Sequence, residues 1–170
     1  VALARGEVAD CLHCFTPQVG DFVFVPAGTV HALGGGILLA EIQQTSDATF
    51  RLYDGDRRDA QGRPRPLHIE QALASIHWDQ GPVAPIQAGD ARKPLVACPY
   101  FEIERFQAAS SVSVQFGGRQ RLQALIVTQG HGRFDNGEFC LPGDVWVFPA
   151  LMPAIALHVE AAMAGLVCSL

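Results

Sequence analysis

The chain has 170 residues, 49% hydrophobic and 17% charged, so it can fill a core and is not composed like a disordered segment. Its net charge is −5 and Lys93 is its only lysine, which excludes a basic surface for a nucleic-acid backbone. No apolar run approaches the ~20 residues that span a membrane, and no signal-peptide pattern opens the chain. We therefore expect a cytoplasmic protein without nucleic-acid or membrane partners.

The N-terminal region carries a cysteine pair with two interpretations. The chain begins at Val1 rather than methionine, which predicts a missing upstream segment. Five cysteines at irregular spacing predict reduced thiols. Cys11 and Cys14 form a C-x-x-C, a pattern of zinc and redox sites, but no second pair accompanies it. Apolar residues at helical spacing favour one face of a helix over Gly6–Phe15.

Short runs of alternating hydrophobicity follow, interrupted by many of the 17 glycines and 11 prolines, and they predict strands. The predicted strands of the first half are followed by a polar loop at 54–66. A helix is predicted next, at Leu67–Ile76, because apolar residues lie three and four apart. A linker begins at residue 79. The predicted strands of this half are Asp21–Val25, Ile37–Gln44 and Ala48–Tyr53.

The second half predicts strands throughout. They begin at Tyr100 and continue over Ser111–Phe116, Leu122–Thr128, Gly137–Leu141, Val145–Phe148 and Ala164–Cys168. The fold predicted for the whole chain is mainly β, an antiparallel sandwich or barrel with one helical insertion.

An internal repeat supports two related halves. Gly20-Asp-Phe-Val-Phe-Val-Pro-Ala27 is echoed 123 residues later by Gly143-Asp-Val-Trp-Val-Phe-Pro-Ala150. In each copy a Gly-Asp turn leads into five residues that end at proline, which cannot donate to a sheet. Two copies of one unit predict two related β-barrel halves.

The first copy continues into a histidine-bearing turn, Gly20-x₅-Pro26-x-Gly28-x₂-His31-x₃-Gly35. Pro26 ends the predicted strand and Gly28 permits a sharp turn, which delivers His31 to a barrel mouth, where small-molecule sites form. An imidazole on a rigid turn suits a divalent metal such as zinc. The alternative for an isolated histidine is burial with one hydrogen bond.

This spacing resembles the second motif of the cupins, whose fold is a double-stranded β-helix or jelly-roll. The run GDFVFVPAGTVHALGGGILLAEIQQTSDATFRLYD resembles short bacterial type I mannose-6-phosphate isomerases, and the similarity extends through RPRPLHIEQAL and, more weakly, CPYFEIERFQ. The resemblance implies that His31 is a zinc ligand and that Arg51, in the T-S-D-x-x-x-R segment, is an active-site residue. Pairing of Arg51 with Asp47 or Asp54 is the alternative.

The implied activity is an aldose–ketose isomerase that interconverts mannose 6-phosphate and fructose 6-phosphate through a metal-stabilised cis-enediol. Arg51 would hold substrate oxygens or steady the negative charge. Glu41 and Gln43 share one strand face and are candidates for binding the hexose phosphate. Arg57 or Arg58 would approach its phosphate or remain solvated.

The resemblance also predicts which parts are missing. The family's other zinc ligands, a Gln-x-His pair and a glutamate, lie upstream of this chain, and a catalytic zinc needs three protein ligands. The second copy has Ala154 in place of the histidine. We therefore expect residues 1–78 to be the C-terminal portion of a metal-binding cupin, truncated, plus a helix; 79–97 a linker; and 98–170 a metal-free barrel.

Two other functions remain open from the sequence. One is a catalytically inactive cupin remnant that binds a sugar or acts as an oligomerisation module, either as a homodimer or paired with the missing N-terminal segment through an exposed sheet edge. The other is an iron-dependent cupin dioxygenase, which would need the same missing ligands.

Overall fold

The computed structural model describes residues 2–46, 48–55, 57–89 and 94–170. The chain divides into two compact units, Val1–Ala88 and Gly89–Leu170, called unit 1 and unit 2. Residues 90–93, part of the predicted linker, lie outside the described residues.

The N-terminal helix is shorter than predicted. Helix α1 covers Ala2–Arg5 and a single 3₁₀ turn covers Ala9–Cys11. The prediction of a helix over Gly6–Phe15 is wrong. Gly6 follows α1 with φ at +72°, and Leu12 ends the 3₁₀ turn in an extended conformation, so the helical hydrogen-bond ladder stops at both places.

Unit 1 contains none of the three strands predicted for it over the residues that the structure describes. It has two isolated antiparallel bridges, Phe22 with Ile86 and Arg58 with Pro64. The predictions of strands at Asp21–Val25, Ile37–Gln44 and Ala48–Tyr53 are wrong. An apolar run becomes a strand only when a neighbouring segment completes its hydrogen-bond ladder, and among the described residues of unit 1 pairing is confined to those two bridges.

The predicted helix at Leu67–Ile76 is confirmed in shorter form. Helix α2 covers Ile69–Ser75 and buries Ala72, while Leu73 remains 40% exposed. In the described part of the chain, no helix is long and apolar enough to cross a membrane.

Unit 2 is an antiparallel β structure, as the sequence predicts. The predicted strand Val145–Phe148 is confirmed to the residue, whereas the predicted strands Leu122–Thr128 and Ala164–Cys168 belong to much longer strands. The strands are β1 Val96–Ala97, β2 Glu102–Ala108, β3 Ser113–Phe116, β4 Gln123–Phe134, β5 Phe139–Cys140, β6 Val145–Phe148 and β7 Ile155–Ser169.

The long strands β4 and β7 form the backbone of unit 2. They pair from Gln123 with Ser169 to Phe134 with Leu157, with three register irregularities between Val127 and Gly132. On one side of these irregularities β4 pairs with β6, and β7 with β2; on the other side β4 pairs with β5, and β7 with β3. Bulges bend strands and increase their twist, so both ladders can fold back over a common core.

Aromatic side chains fill that core. Phe116 of β3 and Phe148 of β6 lie on strands that do not pair, yet their rings stack 5.0 Å apart. Phe134 contacts both Trp146 and Phe148, at 4.6 and 5.9 Å between ring centroids. The sheet therefore closes on itself, and aromatic rings occupy its interior.

Candidate functional site

The sequence repeat is also a structural repeat at its first turn. In unit 1 the carboxylate of Asp21 accepts the Gln18 N–H at 2.9 Å, and the Asp21 N–H donates to the Gln18 carbonyl at 3.0 Å. In unit 2, Asp144 makes the same two bonds with Leu141, at 2.8 and 3.0 Å. The offset is again 123 residues, so the two turns are built alike.

The repeat extends to the turn after the proline. The Thr29 N–H donates to the Pro26 carbonyl at 3.2 Å, and the Met152 N–H donates to the Pro149 carbonyl at 2.9 Å. Only the first copy then carries a histidine. This turn presents His31, which is exposed.

The ring of His31 is oriented by its own turn. Its Nδ1 lies 2.9 Å from the carbonyl oxygen of Thr29. A carbonyl oxygen only accepts, so Nδ1 carries the proton and Nε2 of the neutral ring keeps a free lone pair. Metal-binding histidines commonly use this arrangement, in which a carbonyl fixes the tautomer of the ligand. The donor atom of His31 therefore fits a divalent metal.

The second copy carries a short side chain at the equivalent position. Ala154 stands at the position equivalent to His31, and its Cβ lies 3.0 Å from where a Cβ on Gly118 would be. Gly118 also donates its N–H to the Met152 carbonyl at 3.0 Å. This close backbone approach closes the turn of unit 2, whereas that of unit 1 leaves His31 open.

Arg51 is held by the entrance to helix α2. Its N–H lies 3.2 Å from Nδ1 of His68, and the His68 N–H donates to the Arg51 carbonyl at 2.8 Å. One guanidinium N–H donates to the Pro66 carbonyl at 3.1 Å. The guanidinium carries four further donor hydrogens. Arg51 is half-buried, and one bond holds its guanidinium in place while the other donor hydrogens stay available for further hydrogen bonds.

Asp54 is paired with Arg65, not with Arg51. Arg65 makes a two-point ion pair with it, with Nε 2.6 Å from Oδ2. The hydrogen bond from Arg65, and after it the charges of Arg65, Arg51 and Arg57, hold the pKa of Asp54 below its usual range. Asp47, the other partner that the sequence offered for Arg51, lies outside the described residues.

The described residues of the predicted loop at 54–66 are mostly exposed, and several are hydrogen-bonded within the loop. Asp59 accepts the N–H groups of Gln61 and Arg63, each at 2.9 Å, and Arg58 donates to the Gly62 carbonyl at 3.0 Å. Arg58 is thus committed within the loop. Arg57 instead borders a shallow pocket of about 220 Å³, whose lining is Leu3, Tyr53, Asp54, Gly55, Arg57, Pro64, Arg65, Leu67 and Ile69.

Glu41 and Gln43 are exposed on an extended segment. Within the described part of the chain, no hydrogen bond or ion pair joins either of them to His31 or Arg51, and no three His, Cys, Asp or Glu side chains are grouped to hold a metal. The structure brings Arg51 together with His68 and the Asp54 region. It does not join His31 to the other predicted site residues.

Sequence reasoning missed the contacts that support the site. Nothing in the sequence connected His68, near the start of the predicted helix, with Arg51, 17 residues earlier. The segment that holds the His31 turn, at His77 and Gln80, is about 50 residues away and carries no motif. Contacts of this length leave no periodic signal in a single sequence.

The chain is a mainly β protein whose antiparallel strands lie in unit 2 and whose turn-borne histidine lies in unit 1. The chain is 38% identical over 156 residues to mannose-6-phosphate isomerase ManA of Bacillus subtilis (strain 168), covering 86% of this chain and 49% of the relative. It is 35% identical over 152 residues to mannose-6-phosphate isomerase of Streptococcus mutans serotype c, covering 86% and 48%. No family model matches the chain.

A solved structure agrees with these relatives. The crystal structure of mannose 6-phosphate isomerase from Bacillus subtilis matches with a TM-score of 0.55 at 25% identity, covering 74% of this chain and 41% of that one. The chain belongs to the mannose-6-phosphate isomerase family. It spans about half the length of the curated relatives it matches.

Proposed function

We propose that this chain is the C-terminal part of a zinc-dependent isomerase that interconverts mannose 6-phosphate and fructose 6-phosphate through a cis-enediol. The similarity to curated isomerases supports the reaction. We assign His31 as the metal ligand because Nδ1 is hydrogen-bonded to the Thr29 carbonyl, which leaves Nε2 free. In this proposal residues 1–78 belong to the catalytic cupin, 79–97 link the two parts, and 98–170 form a metal-free barrel.

His31 would hold the metal through Nε2, and the remaining ligands would come from a segment outside these 170 residues. A bound divalent metal supplies Lewis-acid polarisation of the substrate carbonyl. Among the described residues, the proposal assigns one ligand to this site, His31, whose tautomer is set by the carbonyl of Thr29.

Arg51 would bind substrate oxygens next to that site. Its side chain is anchored by one bond to Pro66, and a guanidinium stays protonated at every working pH. Arg57 and Arg65 would attract the phosphate of the substrate to the neighbouring pocket, with Asp54 offsetting one of the two charges. Glu41 and Gln43 would contact sugar hydroxyls.

The location follows from the same proposal. We assign the protein to the cytoplasm, and the five free cysteines, Cys11, Cys14, Cys98, Cys140 and Cys168, are consistent with a reducing compartment.

The experiment uses a chimera in which the half of the Bacillus subtilis relative that the alignment leaves out precedes this chain. We expect it to convert mannose 6-phosphate, and Arg51→Lys to lower kcat/KM by roughly 10²–10³, the loss typical when a transition-state donor is removed. Arg133→Lys, a matched change on the surface of unit 2, should leave the rate unchanged. An active Arg51→Lys chimera would contradict the role of Arg51.

A second function, an inactive module that assembles with another copy of this chain, is favoured by the apolar surface of unit 1. Leu38 is fully exposed and Ile37 and Leu39 are more than 40% exposed, on a segment that was predicted to be a strand. If this function holds, the chain forms a dimer that Leu38→Glu dissociates in sedimentation, and the chimera shows no isomerase activity.

A further inference from the structure

Gln80 is hydrogen-bonded to the turn that carries His31, although 51 residues separate it from Thr29. Its Nε2 donates to the Thr29 hydroxyl at 2.8 Å, in a half-buried position. The backbone of the same segment adds a second bond, since the His77 N–H donates to the Gly28 carbonyl at 3.0 Å. A turn joins the two anchors, because the Gln80 N–H donates to the His77 carbonyl at 3.1 Å.

The contact is close as well as polar. A Cβ on Gly28 would lie 2.8 Å from Cγ of His77 and 2.8 Å from the carbonyl oxygen of Ser75. Real Cβ atoms do not approach other atoms so closely, so residues 75–80 pack directly on the turn. Gly28 also has φ at +80°, which a residue without Cβ adopts at no steric cost.

Thr29 connects residues 75–80 to the histidine. Its hydroxyl accepts from Gln80, and its carbonyl accepts from Nδ1 of His31. Gln80 and Gly28 therefore restrain the residue whose carbonyl selects the tautomer of the ring. The second copy has Met152 at this position, which offers no hydroxyl, and that copy presents no histidine.

We infer that Gln80 is a positioning residue for His31: by holding Thr29 it keeps the proton on Nδ1 and leaves Nε2 available to a metal. The inference rests on the proposed function for the metal, but its geometry belongs to the metal-free chain. It can therefore be tested without metal, substrate or activity.

The test reads the tautomer of His31 directly by long-range ¹H–¹⁵N NMR of the ¹⁵N-histidine-labelled chain, at a pH about 1.5 units above the ordinary histidine pKa of about 6.5. His31→Asn identifies its signal among the six histidines. The wild-type ring should be mainly Nδ1-protonated. In Gln80→Ala the ratio of the Nδ1-protonated to the Nε2-protonated form should fall about fivefold, the factor that one neutral hydrogen bond is worth.

Further variants separate positioning from general loosening. Thr29→Val removes the hydroxyl without changing the shape and should give the same shift, with no further shift in the double variant. Gln80→Glu can accept the hydroxyl proton of Thr29 and should restore the wild-type ratio. Gln129→Ala, an exposed glutamine on β4, should change nothing.

An unchanged ratio in Gln80→Ala, with the other histidine signals intact, would overturn the inference. So would a shift in Gln80→Ala that Gln80→Glu fails to reverse, because the effect would then be one of packing. A shifted tautomer together with an inactive chimera would retain the positioning role and reject the isomerase.

Discussion

The hydrogen bond that orients the ring of His31 is made with a main-chain carbonyl. Thr29 supplies the carbonyl that fixes Nδ1, and Gly28 supplies the tight turn that places it. The sequence predicted His31 from the spacing of proline, glycine and histidine, because those residue types themselves make the turn. It could not predict Gln80 or His77, because their contacts depend on how residues 75–80 return to the turn.

We predict that Gly28→Ala destabilises unit 1 by about 1–3 kcal/mol, the usual cost of holding a residue with a Cβ in a strained backbone conformation. The added methyl also meets His77 and Ser75. Chemical denaturation of unit 1 measures the free energy of unfolding. Gly34→Ala is the matched control, since nothing lies within 4 Å of the Cβ that the alanine would add. Its free energy of unfolding should stay within about 0.5 kcal/mol of that of wild type.

A second residue-scale prediction concerns the hydrogen bond between Asp135 and His158, whose Nε2 lies 2.6 Å from Oδ1. This hydrogen bond, and after it the Ala156 N–H, lower the pKa of Asp135. A lowered carboxyl pKa stabilises the fold above the unfolded pKa of about 3.9, and the effect is lost as pH falls through the folded value.

Asp135→Asn should therefore be less stable than wild type above about pH 4, and the difference should shrink in more acid solution. Urea denaturation across this pH range measures it. Glu138→Gln, a nearby exposed carboxylate, should give no such pH-dependent difference. A gap between wild type and Asp135→Asn that stays constant down to the most acid pH would contradict the assignment.

At the scale of elements, a strand was predicted correctly where residues at both of its ends mark its limits in the sequence. β6 was predicted to the residue because a Gly-Asp turn and Pro149 delimit it on both sides. β4 and β7 were predicted too short, since bulges between Val127 and Gly132 and the glycines near them interrupt the alternation. The strands of unit 1 failed because an apolar run does not specify a partner.

The core of unit 2 depends on β4, and Leu125 is one of its fully buried residues, at 0% exposure. Leu125→Ala should cost about 2–5 kcal/mol of unfolding free energy, the range for truncating a buried leucine. Leu151→Ala is the matched control, because that side chain is 92% exposed and its loss should be nearly neutral. Equal losses in the two variants would mean that β4 does not anchor the core.

At the scale of the whole molecule, one supersecondary unit occurs twice, and the two copies differ in the side chain that follows the turn. Both copies keep the aspartate-capped turn and the proline, 123 residues apart. In unit 1 the turn presents His31, whereas in unit 2 Ala154 packs against Gly118 and aromatic rings fill the interior. In the proposed function, unit 1 therefore carries the metal ligand and unit 2 has a structural role.

Zinc content tests the central claim, that His31 binds the metal of a mannose-6-phosphate isomerase. Elemental analysis of the purified chimera should find about one zinc per chain in the wild type and in His131→Ala, a matched exposed histidine of unit 2. It should find the zinc lost in His31→Ala, together with the isomerase activity. Zinc that is retained in His31→Ala, or a wild-type chimera that is active without bound metal, would contradict the account.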